Sequence, residues 1–236
     1  MRALYRREMQ SYFYTPGAYV FMGVFLMLGS VFFAVGNLSA RSGNLLNLLG
    51  QLSYLWMLLS PVLTMRLLAG EKKQRTDQLL YSSPCSLSAL VGGKYLAACT
   101  VLLLTVAATF VYALIVAVYG TLYLAETLVG YLGLVLQGCA FIALDLFVSC
   151  FARSQMTAVI AGVGANLIVW LSDAVASAVS VDGLGAALKF ISLYRRFDPF
   201  IRGQLSFSNV FFFCLFIFIM LFMCVRVMDA RRWSEA

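Results

Sequence analysis

The sequence contains no histidine, and only 11% of its 236 residues are charged. Without an imidazole there is no Ser-His triad, no Cys-His pair and no HExxH zinc site. The six cysteines, Cys85, Cys99, Cys139, Cys150, Cys214 and Cys224, never fall in a CxxC spacing. They lie mostly within apolar runs and read as small packing residues, not as a disulfide framework or a metal site. No GxxxxGK[ST] phosphate loop occurs, because Gly92-Gly93-Lys94 is followed by Tyr95 and lacks the upstream glycine. A GxGD protease motif is also missing, as are internal repeats, low-complexity tracts and any soluble domain. An enzyme is poorly supported by this inventory, and no cofactor is expected on this chain.

What is present is apolar. Hydrophobic residues make up 62% of the chain, and the mean hydropathy is +0.91. A water-soluble core does not absorb that share while leaving a polar skin, so the chain is an integral membrane protein. The net charge of +7 then reflects membrane orientation, not a nucleic-acid partner. Charge-free runs at 9–40, 42–65, 95–125, 127–144, 154–172 and 203–225 each hold one crossing of about 20 residues. Six helices are expected near 17–36, 48–69, 95–119, 128–150, 157–180 and 208–227. No run has the alternation a barrel needs, so the fold class is an all-α bundle.

Lysine and arginine set the orientation. Arg2, Arg6, Arg7, Arg66, Lys72, Lys73, Arg75, Lys94, Arg153, Arg226, Arg231 and Arg232 fall on one side; Arg41, Lys189, Arg195, Arg196 and Arg202 fall on the other. This asymmetry puts both termini in the cytoplasm. The first apolar run is too long for a signal-peptide core and is expected to be retained. The whole chain, 1–236, reads as one transmembrane domain. Its parts are an interfacial helix at 1–16, two spans at 17–69, a charged connection at 70–94, three spans at 95–180, an outer connection at 181–207, and a last span with its tail at 208–236.

The N-terminal arm is amphipathic. At 100° per residue Tyr5, Met9, Tyr12 and Phe13 share one face, while Arg6, Arg7, Gln10 and Ser11 share the other. An interfacial helix ended by Pro16 follows, with its basic face towards anionic headgroups or a partner protein. The 66–94 connection is the most specific signal. A charged cluster, Glu71-Lys72-Lys73-Gln74-Arg75-Thr76-Asp77, is followed by Leu79-Leu80, Ser83-Pro84 and Gly92-Gly93-Lys94. The charges suit a short solvated helix broken at Pro84, or simply a solvated loop obeying the positive-inside rule.

The run Glu71-Lys72-Lys73-x-x-Thr76-x-x-Leu79-Leu80-x-x-x-Pro84, closing on Gly93-Lys94, resembles the loop after the second helix in ABC-2-type transporter permeases. It looks most like the gliding-motility-type permease subunits of bacteria. Six spans, cytoplasmic termini, the amphipathic N-terminal helix and Arg231-Arg232-Trp233 extend the resemblance over essentially the whole chain. Gly70 and Gln78 depart from it, standing where the family often has acids. The resemblance implies that the loop is a coupling helix docking on a separate ATP-binding subunit. Glu71, Lys72, Arg75, Thr76, Asp77, Leu79, Leu80 and Pro84 would make the contact, with Arg6 and Arg7 on the helix alongside. It further implies two ATP-binding subunits carrying ATP and Mg, a second permease protomer, and short extracellular helices between spans five and six.

In that outer connection Leu184, Leu188 and Ile191 recur at helical spacing, so a short amphipathic or re-entrant helix is expected before Asp198-Pro199. Inside the bundle, Asp145 and Asp173 interrupt spans four and five. A carboxylate at mid-membrane is costly, so both are expected near the interfaces as structural charges. Asn166, nearer mid-membrane, either lines a polar path or makes an interhelical hydrogen bond. Gly162 pairs with Ala158, and Ala161 with Ala165, allowing close helix approach within one protomer or between two. The resulting expectation is a permease subunit of an ABC exporter in the cytoplasmic membrane, bound to lipid and not to nucleic acid. The substrate class, whether lipid, peptide, polysaccharide or hydrophobic drug, stays open. The alternative is a non-transporting scaffold or anchor subunit of an envelope complex.

Overall fold

The computed structural model describes residues 2–40, 43–67, 87–120, 123–152, 154–178 and 192–234. The chain runs through α1 (Arg2–Tyr14), α2 (Pro16–Phe33, extended by a π turn at Ala34–Leu38), α3 (Leu45–Thr64), α4 (Leu87–Tyr119), α5 (Leu124–Phe151), α6 (Gln155–Ala178), α7 (Leu193–Ile201) and α8 (Phe207–Ser234). No strand occurs among the described residues. Six helices, α2 to α6 and α8, are long and apolar enough to cross a membrane. The all-α six-span bundle is therefore observed.

Pro16 separates α1 from α2. It occupies the first turn of α2, where its fixed φ suits a helix start and its missing N–H costs nothing. The centre of the bundle is α3 against α5. Leu45, Leu49, Leu52 and Trp56 of α3 are buried, as are Ala140, Ile142 and Leu146 of α5. Phe21 and Phe25 of α2 meet Trp56 edge-on, with centroids 5.4 and 5.3 Å away. The close approach of α3, α4 and α5 depends on Gly138. A Cβ there would lie 2.3 Å from Leu102 Cδ1 and 2.8 Å from Trp56 Nε1. Little of α6 and α8 is covered by the protein itself, and their outer faces carry Ile160, Ile168, Phe211, Phe218 and Phe222.

The spans differ from expectation in informative ways. The third begins at Leu87, eight residues before the expected start near 95, so the last part of the 70–94 connection is helical. Lys94 therefore lies inside α4 and is 1% exposed, a placement made possible by the partners described below. In the outer connection, residues 179–191, and with them Leu184, Leu188 and Ile191, lie outside the described residues. The following helix, α7, does not stop before Asp198-Pro199 but continues to Ile201. Ser192 caps its start by accepting from the Arg195 N–H at 3.2 Å. Its end is closed by Gly203, whose φ of 72° allows the Gly203 and Gln204 N–H groups to donate to the Phe200 and Pro199 carbonyls. Those end contacts hold the helix through Pro199. Leu193, Phe197 and Phe200, spaced i, i+4, i+7, are all buried against the bundle. Gly133 of α5 makes room for them, since a Cβ there would come 2.5 Å from Phe200 Cβ.

Candidate functional sites: the flanks of the charged connection and an intramembrane cluster

The coupling candidates Glu71, Lys72, Arg75, Thr76, Asp77, Leu79, Leu80 and Pro84 lie outside the described residues. What the structure gives is the frame that holds them, the end of α3 and the beginning of α4. Both ends are gripped by α1. Leu4, Glu8 and Tyr12 recur every four residues on one stripe of α1 and turn towards the bundle. Lys94 Nζ donates to Glu8 Oε1 at 3.1 Å and to the Leu67 carbonyl at 2.6 Å. One ammonium thus joins α1, the turn after α3 and the second turn of α4. Buried charges persist where they are paired and hydrogen-bonded, and Lys94 is both.

Further contacts reinforce the grip on each side. On the α3 side, Tyr12 donates its hydroxyl to the Leu63 carbonyl at 2.9 Å, and Arg66 Nη1 donates to Thr15 Oγ1 at 2.8 Å. Burial, with the Glu8 carboxylate nearby, pushes the Tyr12 phenol well above its ordinary pKa, so it stays a donor. On the α4 side, Tyr5 and Thr100 hydroxyls lie 2.9 Å apart. Leu4 packs so closely on Gly93 that a Cβ there would lie 2.9 Å from Leu4 Cδ2. Gly93-Lys94, noted in the sequence as the end of the loop motif, is thus a docking point for α1. Arg6 and Arg7 are exposed on the opposite face of α1. Glu8 was not singled out by the sequence; the only hint was its place at the edge of an otherwise apolar stripe.

A second polar group lies within the bundle. Asp145 of α5 is 2% exposed, so its carboxylate is enclosed by the helices. Ser60 Oγ of α3 donates to Asp145 Oδ2 at 2.6 Å. Asn166 of α6 donates through Nδ2 to the Met57 carbonyl at 2.9 Å and to Ser60 Oγ at 3.3 Å. The single Ser60 hydroxyl therefore ties three spans together. Of the two readings of Asn166, the interhelical hydrogen bond is observed. Gly162, one turn from Asn166, lets α6 approach this group. A Cβ there would meet Pro61 Cβ at 2.8 Å and Asp145 Oδ1 at 3.1 Å. For Gly162 the close contact is within one protomer. Ala161, its neighbour on α6, is exposed. The side chain of Asp173 lies outside the described residues. Among the described residues no cluster of three or more His, Cys, Asp or Glu could hold a metal ion.

These features define a class: an all-α multi-pass membrane protein whose spans are tied by buried polar contacts and whose charged connection is framed by an accessory helix. The model of the ABC-2 family transporter proteins matches residues 52–231, and the chain belongs to that family. It is a membrane permease of an ABC transporter, a family that works with an ATP-binding partner. No curated protein matches the sequence significantly.

Proposed function

We propose that this chain is the transmembrane subunit of an ABC exporter in the cytoplasmic membrane, with both termini in the cytoplasm. ATP is hydrolysed, with Mg, in a separate subunit present in two copies, and a second permease protomer completes the particle. The coupling segment is residues 70–84, with Glu71, Lys72, Arg75 and Thr76 as its principal contacts. The observation that carries this reading is the clamp of α1 on both flanks of that segment, in a chain of the ABC-2 family.

The mechanism follows from that connectivity. Closure of the ATPase dimer pushes on the 70–84 segment. Because Lys94 joins its two flanks to Glu8, the push moves the end of α3, the start of α4 and α1 together. Ser60 passes the motion of α3 to α5 and α6 through Asp145 and Asn166. Transport is driven only if the substrate binds the inward and outward states differently. The cargo is a lipid, peptide, polysaccharide or hydrophobic drug.

Co-purification from native membranes in mild detergent, followed by native mass spectrometry, tests this. A particle of two permease chains with two copies of a Walker-motif protein is the expected result. The charge-reversed variant E71K/K72E should lose the ATPase while still inserting in the membrane. A chain that emerges repeatedly without an ATPase, or with only envelope proteins, overturns the exporter reading in favour of a scaffold.

A further inference from the structure

Beside the α1 clamp, a groove with a volume of about 310 Å³ runs between the start of α2 and the end of α3. Its floor is apolar, with Phe21 only 3% exposed. Its rim, Val20, Val24 and Val62, is open to the surroundings at 62%, 39% and 36% exposure, so the groove faces the lipid side of the bundle. Arg66 stands at the end nearest the chain termini. Among the described residues no carboxylate pairs with it, and its hydrogen bond goes to Thr15 Oγ1. A guanidinium has five donors, and the described residues take one of them.

The same end of the groove is electropositive for a second reason. The α2 N-terminus has no side-chain cap: the Thr15 hydroxyl donates to the Ser11 carbonyl and accepts from Arg66. The first N–H groups of α2 are thus open, and the helix dipole adds positive potential there. Gly17 brings the guanidinium onto this turn; a Cβ at that position would sit 2.7 Å from Arg66 Nη1. A cation with spare donors above an apolar, lipid-facing groove matches one chemistry, a phosphate ester joined to an acyl chain.

We propose that this groove binds a phospholipid with an anionic headgroup, its phosphate on Arg66 and the α2 N-terminus and one acyl chain between Val20, Val24 and Val62. The bound lipid belongs to the leaflet nearest the chain termini, and it packs α2 against α3 beside the clamp. This site goes beyond the transport reading and does not depend on it.

The test is native mass spectrometry of the purified chain in bicelles containing phosphatidylglycerol and phosphatidylcholine of equal chain length. One phosphatidylglycerol per chain should be retained over phosphatidylcholine. R66Q should retain about ten-fold less, as expected for loss of charge-assisted hydrogen bonds. V24W, which fills the groove and leaves Arg66 in place, should also lose it. V24W decides the matter if R66Q does not fold. Equal retention of the two lipids, or wild-type retention by V24W, overturns the proposal. Displacement of the lipid by millimolar inorganic phosphate also overturns it, because the site would then be one for free anions.

Discussion

Lys94 Nζ lies 3.1 Å from Glu8 Oε1, so an acid in the first helix neutralises a base that the chain reaches 86 residues later. Lys94 is almost fully buried, and it also donates to a backbone carbonyl. Removing the Glu8 carboxylate breaks a buried, hydrogen-bonded ion pair. E8Q is expected to cost about 3–5 kcal/mol, and the double replacement E8L/K94M less, because apolar groups in place of both partners leave neither charge of the pair stranded. Thermal unfolding in a single detergent gives this order. Equal losses for the two variants would show that the pair is not buried as described.

Gly133 and Gly164 make a matched pair of probes. A Cβ at Gly133 would strike Phe200, whereas one at Gly164 meets nothing within 4 Å. G133A should destabilise by about 1–3 kcal/mol through overpacking, with α7 displaced. G164A should stay within about 0.5 kcal/mol of the parent. Limited proteolysis around 192–206, set beside the two melting temperatures, separates displacement of α7 from general loss of stability.

Ser60 is shared by two partners, and this predicts non-additivity. S60A strips Asp145 Oδ2 of its donor and should cost about 1–3 kcal/mol. N166A removes the other side of the same hydroxyl. Because both act through one oxygen, the S60A/N166A double variant should cost less than the sum of the two singles by at least about 0.5 kcal/mol. Strict additivity would mean that Asn166 is held by the Met57 carbonyl alone.

Orientation is tested by labelling. In a background with Cys85 and Cys214 replaced by serine, R41C should react with an impermeant thiol reagent added outside intact cells. Q74C should react only after the membrane is opened. The reverse pattern would place the chain termini outside the cytoplasm.

Much of this architecture was legible in the sequence because charge is expensive in hydrocarbon, so charge-free stretches mark the crossings. Helical periodicity is a local property, and in α1 Tyr5, Met9 and Tyr12 pack on the bundle while Arg6 and Arg7 are exposed. Partnerships between distant residues were not legible. Lys94 looked like a loop charge because its acid is 86 positions away. Nothing in the helix of Asp145 reveals that Ser60 faces it. Small residues drew attention to α6, yet the tightest approaches fall on α5, at Gly133 and Gly138. Which face of an apolar helix meets a neighbour is decided by packing, and a uniformly apolar sequence carries little trace of it. Asp198-Pro199 read as a break, but the capping at Gly203 lies beyond it and holds the last turn.

The hydrogen bond from Lys94 to the Leu67 carbonyl joins positions 27 residues apart. Bringing the ends of a free chain segment of that size together costs roughly 3 kcal/mol in configurational entropy. In this protein that cost is met when the bundle folds, with Glu8 completing the clasp. A protein that docks on the intervening residues meets a loop already closed and loses less entropy on binding. Severing the clasp would therefore weaken docking even though no residue at the contact had changed.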